Sequence, residues 1–275
     1  MPKVKVSLTI TKKILDDVEA LVDGIKIKNR SDAFEHLIRR SLSSSRTAVI
    51  LLGGAEKRNY IKEIPAYRPL VKIGNKHLIE HQIDLLKVSG FTRILIIAEN
   101  NILADIFRVI GNGKKYGVKI EYITDKNSKG TLDSLKKAKD QLSSAFLIIY
   151  GDIIFTTDIK KLWDYHIKNS AAMTITLTSS QNPKEKGAAL IEGEKITAFS
   201  QKSSIIKSNI VLSPIFACNP EMLEFSGHSI EKDLIPQLIC AEKLFGYLTA
   251  GTEIHIHEAK NIKAAINLIE KHTNY

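Results

Sequence analysis

Cysteine is scarce in this chain: 275 residues carry two, Cys218 and Cys240. Two thiols so far apart make no metal or redox spacing and no disulfide framework, and they fit a reducing compartment. Glycine (15) and proline (7) are too sparse for a collagenous chain, and a hydrophobic content of 44% excludes a disordered one. Long apolar runs are missing as well. The longest, such as residues 93–98, are the size of a strand, whereas a membrane span needs about 18 residues. The first residues alternate charged and apolar side chains, so the apolar core of a signal peptide is also lacking. These absences predict a cytoplasmic globular protein with no membrane contact, long enough for one large domain or two.

What the chain has in excess is positive charge. Its 40 Lys and Arg outnumber 30 Asp and Glu, a net +10 that attracts polyanions or phosphorylated substrates. The excess is uneven: residues 1–46 hold 10 basic and 6 acidic residues, against 30 and 24 in residues 47–275. The polar stretch Ser43-Ser44-Ser45-Arg46 separates the two compositions. A boundary is expected there, giving domains 1–45 and 46–275.

From Lys3 to Ile10 the sequence alternates strictly, with Val4, Val6, Leu8 and Ile10 on one face and Lys3, Lys5, Ser7 and Thr9 on the other. That period predicts a strand. Thr11 is placed to cap a helix with Ile14, Leu15, Val18, Leu21 and Val22 at helical spacing, which Gly24 ends. Ser31 is placed to cap a second helix with Phe34, Leu37, Ile38 and Leu42 inward. One strand and two helices bury little apolar surface alone, and the simplest partner for the strand is its twin in a second subunit. The stretch KVKVSLTI…TKKILDDVEALV…NRSDAFEHLIRRSL resembles the ribbon-helix-helix DNA-binding family along its whole length. The resemblance implies a homodimer or higher homo-oligomer whose antiparallel ribbon enters the major groove of double-stranded DNA. It puts Lys5, Ser7 and Thr9 on base edges and Lys3 near phosphates. It also puts the helix N-terminus at Arg30 and Ser31 on a backbone phosphate. The alternative is a solvated edge strand with a helical dimerisation arm.

After residue 46, strand and helix signals alternate. Strands are expected at Ala48–Leu52, Arg93–Ala98, Val118–Ile123 and Phe146–Tyr150; helices at His77–Val88, Ile102–Ile110 and Thr131–Gln141. Beyond Asp158 strands are expected near 171–178, 187–199, 208–217 and 244–257, and helices near 230–242 and 259–271. The fold class is α/β, a Rossmann-like, mostly parallel mixed sheet with helices on both faces. Ligands of such sheets bind beyond the carboxyl ends of the strands, where Gly53-Gly54, Gly130-Thr131 and Gly151-Asp152 all fall.

The segments AVILLGGAEKR, RPLVKIGNKHLIEHQIDLLKVSGFTRILII, GTLDSL and FLIIYGD resemble sugar-phosphate nucleotidyltransferases in order and spacing, from residue 47 to about residue 270. The resemblance implies a nucleotide-diphospho-sugar transferase type of fold. Its reaction couples a nucleoside triphosphate to a sugar 1-phosphate and releases pyrophosphate. It further implies that Leu52, Gly53, Gly54, Gly130 and Thr131 meet the nucleotide. Arg58, Arg68 and Asp152 are then catalytic, with Asp152 holding Mg²⁺, and Gly187, Lys202 and Asn209 lie near the sugar phosphate. The residue types suit the chemistry, because joining two phosphates is largely charge neutralisation and positioning.

The sequence also departs from that pattern. Glu56 stands where the family loop usually has glycine, Arg68 replaces a common lysine, and Gln201 replaces an acidic residue before Lys202. Residues 253–257, Glu-Ile-His-Ile-His, occupy the stretch that usually gives a second metal aspartate, and contain none. His255 and His257 are two apart on an expected strand, so they face one side. Such a pair suits a transition metal if a third ligand exists, and otherwise belongs to a half-exposed strand. Two readings follow: a working transferase with a DNA-binding arm, or a transcription regulator whose degenerate transferase domain senses a nucleotide or nucleotide sugar without turnover.

Overall fold

The computed structural model describes residues 7–24, 27–43, 46–53, 59–169, 171–180, 182–183, 186–201 and 206–273. The chain separates into two compact units, Met1–Ser45 and Arg46–Tyr275.

In the first unit, α1 (Lys12–Glu19) follows Thr11, whose carbonyl accepts from Leu15 N at 3.1 Å. The Thr11 side chain makes no capping bond. The helix stops short of Leu21 and Val22, and the chain reverses at Gly24 in the left-handed conformation, φ +72°. Helix α2 (Arg30–Ser43) is capped two residues before Ser31, because Asn29 Oδ1 accepts from Asp32 N at 2.9 Å. Val18 and Ala33 are buried, while Leu8, Ile14, Leu21 and Ile38 are exposed. Among the described residues, 7–10 of the expected strand form no strand.

The second unit holds a nine-stranded sheet. Its first part contains β1 (Arg46–Leu51), the short hairpins β2 (Tyr60–Ile61)/β3 (Ala66–Tyr67) and β4 (Lys72–Ile73)/β5 (Lys76–His77), then α3 (Leu78–Val88). Next come β6 (Phe91–Ala98), α4 (Asn100–Ile110), β7 (Lys119–Thr124), α5 (Thr131–Lys136), β8 (Phe146–Tyr150), β9 (Ile153–Phe155) and α6 (Ile159–Asn169). The later part has β10 (Met173–Ser179), β11 (Gly187–Glu192), β12 (Lys195–Gln201), β13 (Ile210–Cys218), α7 (Ile235–Cys240), β14 (Leu244–Leu248), β15 (Glu253–His255) and α8 (Lys260–Thr273). The strand order is β10-β14-β12-β11-β13-β8-β1-β6-β7.

The sheet is less parallel than expected. Parallel pairing holds from β8 through β1 and β6 to β7, and between β10 and β14. The other pairings are antiparallel. One cause is local: the stretch expected as a single strand over 187–199 is a hairpin, with Gly193 at φ +60° in the two-residue turn between β11 and β12. Strands joined so tightly must run antiparallel.

Alternation along the central strands builds two apolar layers. Ala48, Ile50, Ile94 and Ile96 face one way, onto Ile79, Ile83 and Leu86 of α3. Val49, Leu51, Leu95 and Ile97 face the other, onto Leu132 and Leu135 of α5. A third cluster joins Ile73, Ile154 and Ile256 to Ala265 of α8. It docks the C-terminal helix and β15 beside β9, where Ile254 pairs with Ile154.

Candidate active site

At the carboxyl ends of β1 and β8 the backbone leaves the sheet and opens a crevice of about 110 Å³. Leu51, Leu52, Gly53, Asn59, Arg68, Thr131, Tyr150 and Asp152 line it. The parallel neighbours hold its rim: Leu52 N donates to Ile97 O at 2.9 Å and Gly151 N to Leu51 O at 3.0 Å.

Asp152 is the charged centre. Its Oδ2 accepts from Arg68 Nη1 at 3.0 Å and lies 3.1 Å from His257 Nε2. Both members of the Arg68–Asp152 pair are mostly buried, with side chains 20% and 16% exposed. Burial alone would push the Asp152 carboxyl up, but the hydrogen bond from His257 and the charges of His255, His257 and Arg68 hold it below the ordinary carboxylate range. Arg68 Nε is buried with no hydrogen-bond partner among the described residues. A donor in that state suits an incoming anion.

Gln82 fixes the turn that carries Asp152. Its Nε2 donates to Tyr150 O at 3.0 Å and to Ile153 O at 2.7 Å, bracketing Gly151 and Asp152 from α3. On the far wall, Tyr150 Oη donates to Glu231 Oε1 at 2.6 Å, and Thr131 Oγ1 donates to Glu231 Oε2 at 3.3 Å. Burial and the Glu231 charge push the Tyr150 phenol well up, so it stays a donor. Gly130 permits the close approach of the residue 228–231 segment: a Cβ there would lie 2.5 Å from His228 O. That carbonyl takes Leu132 N at 2.8 Å and Asp133 N at 3.2 Å, so these two amides of α5 are already spent.

The structure thus brings Leu52, Gly53, Gly130, Thr131, Arg68 and Asp152 together. Gly54, Arg58 and Lys202, with Glu56, lie outside the described residues, as do Lys3 and Lys5. Gly187 and Asn209 do not line the crevice. Gly187 opens β11 opposite Gln201, and a Cβ there would meet the Phe199 ring at 2.5 Å, which is a packing reason for glycine. Asn209 is exposed before β13 and its carbonyl accepts from Ser180 N at 2.8 Å. In the first unit Arg30 is paired with Glu19, so it is not a free cation, and Ser7 and Thr9 are exposed.

Sequence reasoning missed Asn59, Gln82, Glu231 and the third partner of the histidines. Gln82 had a signal: it occupies an inward position of α3, in register with Ile79, Ile83 and Leu86. Asn59 and Glu231 had none. The third partner is Asp152: its carboxylate and the imidazoles of His255 and His257 have ligand atoms within 4.8 Å of one another. Magnesium takes oxygen ligands and keeps several waters. Two imidazole nitrogens beside one carboxylate are not its donor set, so the residues present do not fit the Mg²⁺ expected on Asp152.

The profile of the family described as nucleotidyl transferase matches residues 47–254, which include every described lining residue. The chain belongs to this nucleotidyl transferase family. Among its relatives are a mannose-1-phosphate guanyltransferase of Yarrowia lipolytica, 28% identical over 221 residues (78% of this chain, 61% of that one), and one of Saccharomyces cerevisiae, 27% identical over 222 residues (78% and 62%). The chain therefore spans about three-fifths of the length of the curated relatives it matches. A solved Bacillus anthracis structure assigned as a glucose-1-phosphate thymidylyltransferase shares the fold of this family member, with TM-score 0.73, 21% identity and coverage of 81% of this chain and 94% of that one. Among the described residues no helix is long and apolar enough to cross a membrane.

Proposed function

We propose that the second unit transfers a nucleotidyl group from a nucleoside triphosphate to a sugar 1-phosphate, with GTP and mannose 1-phosphate as the first pair to try. A phosphate oxygen of the sugar 1-phosphate attacks the α-phosphorus. The new P–O bond forms as the bond to the β-phosphate oxygen breaks, and pyrophosphate leaves with the electron pair. No protein nucleophile is needed. The observation that carries the reading is the crevice at the strand ends, lined by both Gly53 at the end of β1 and a mostly buried Arg68 whose Nε has no partner among the described residues. Arg68 would neutralise and orient the phosphates, and Gly53 would let them approach the backbone. Thr131, Gly130 and Leu52 would contact the base and ribose. Arg58 and Lys202 remain proposed phosphate contacts on the motif alone.

The test is pyrophosphate release from each common nucleoside triphosphate paired with mannose, glucose or other hexose 1-phosphates, with Mg²⁺, Mn²⁺ and Co²⁺ supplied in turn. Release should need both substrates. No release from any pair with any metal would overturn the transferase reading, and nucleotide binding without release would favour a sensing domain instead.

For the first unit we propose a dimerising arm that contacts double-stranded DNA. It buries Val18 and Ala33 yet leaves Leu8, Ile14, Leu21 and Ile38 40–62% exposed, which a second copy would cover. Sedimentation should show a dimer that removal of residues 1–45 weakens, and duplex binding that falls steeply with salt. An unchanged dimer, or no binding to any duplex, would defeat this proposal.

A further inference from the structure

We propose that Asp152, His255 and His257 form a site for a divalent transition-metal ion of the manganese-to-zinc series, in place of magnesium. The inference goes beyond the transferase reading and rests on it only for what the ion would meet in the crevice. Three observations carry it, and each is geometric or chemical.

The first is distance. Two ligand atoms bound at right angles, each about 2.1 Å from one ion, lie about 3.0 Å apart. Asp152 Oδ2 and His257 Nε2 are 3.1 Å apart. All three ligand atoms fall within 4.8 Å of one another, while opposed ligands on one ion span about 4.2 Å, so side-chain shifts of under about 1 Å close the set.

The second is how the chain delivers the two rings. Ile254 and Ile256 face the cluster under α8, and Ile256 is fully buried. His255, the last residue of β15, and His257, just beyond it, lie side by side away from that cluster, with ring centroids 5.3 Å apart. Ile256 N donates to Asp152 O at 2.8 Å, so the backbone that carries both histidines is tied directly to the aspartate. His255 is further oriented by Glu253, whose Oε1 lies 3.6 Å from its Nε2 and is itself held by Lys186 at 2.9 Å. An oriented imidazole with a carboxylate neighbour is the usual support of a metal-binding histidine.

The third is the donor set. Imidazole nitrogen favours the later first-row ions, and three protein ligands leave open positions for water or phosphate oxygens. A magnesium site would be expected to show oxygen donors where the histidines stand.

The probe is Co²⁺ titrated into the full chain and followed by its visible absorption bands, with Zn²⁺ and Mg²⁺ as competitors. One Co²⁺ per chain should bind, Zn²⁺ should displace it at similar concentration, and millimolar Mg²⁺ should not. His255→Ala and His257→Ala should each weaken Co²⁺ binding at least about a hundredfold, more than the roughly 10–100-fold for loss of a supporting residue. Both side chains are partly exposed, at 32% and 49%, so the variants should keep the wild-type fluorescence of Trp163. The exposed His36, in the first unit, is the control for adventitious binding. Displacement of Co²⁺ by comparable Mg²⁺, or equal binding by wild type and both histidine variants, would overturn the proposal. So would an equal loss in His36→Ala. Pyrophosphate release with Mg²⁺ alone, without tight Co²⁺ binding, sinks this inference and spares the transferase reading. Histidine-dependent Co²⁺ binding without release under any metal does the reverse.

Discussion

His166 sits on α6 with no exposed surface. Its Nδ1 shares a 2.9 Å hydrogen bond with Thr174 Oγ1, and its Nε2 is buried without a partner among the described residues. Burial penalises the charged ring and pushes its pKa from 6.5 down to about 4. A histidine depressed in the folded state stabilises it fully above pH 6.5, and that stability is lost as pH falls toward 4, because the unfolded chain takes up the proton first. At pH 5 the unfolded ring lies about 1.5 pH units inside its protonated range while the folded ring is still mostly neutral. At about 1.36 kcal/mol per unit, the loss is about 2 kcal/mol between pH 7 and pH 5. Trp163 is the single tryptophan and sits one turn away on the same helix, so its emission reports unfolding of this unit alone. Urea unfolding at the two pH values should show the loss in wild type, and His166→Phe should lose about 2 kcal/mol less over the same interval. Equal losses in the two proteins would refute the reasoning.

The capping carboxylate of α3 offers a second acid-side test. Glu80 accepts from His77 N at 2.8 Å and Tyr116 Oη at 2.5 Å, and though burial opposes it these partners lower its carboxyl to about 2. Its contribution is present above pH 4.5 and lost as pH falls from there toward 2, so Glu80→Gln should cost about 1–2 kcal/mol at pH 7 and flatten that decline in acid unfolding. Gly130→Ala forces a Cβ to 2.5 Å from a backbone oxygen and should destabilise by about 1–3 kcal/mol in urea, with a slower or lost transferase reaction. Arg68→Met should weaken binding of a non-hydrolysable nucleoside triphosphate about 10–100-fold by calorimetry, the value of about one charge-assisted bond. An unchanged affinity would remove Arg68 from the phosphate site.

Much of the central sheet was legible because its strands are apolar on both faces and its helices are amphipathic. Phe146–Tyr150 and the helix ending at Val88 needed no correction at those ends. Where sequence and structure part, a short-range bond had displaced a weaker pattern. Asn29 outcompetes Ser31 for the cap, and Gly193 turns one expected strand into a hairpin. Helix 131–141 shortens to α5 followed by a tighter turn at Lys139–Gln141. Asp152 was legible from its place after an apolar strand and a glycine. Its partners were not, because Arg68 and His257 lie 84 and 105 residues away, and no local period encodes a meeting at that range.

The short pairing of β15 with β9 has a temporal consequence. The four parallel strands β1, β6, β7 and β8 are all synthesised by Tyr150, and the turn bearing Asp152 follows at once. The histidines are about a hundred residues behind, and they reach the aspartate only once β15 is laid against Ile153–Phe155 and α8 covers Ile256. A nascent chain can therefore assemble its half-sheet on the ribosome while the crevice is still open on one side. The arrival of β15 and α8 decides when that side closes.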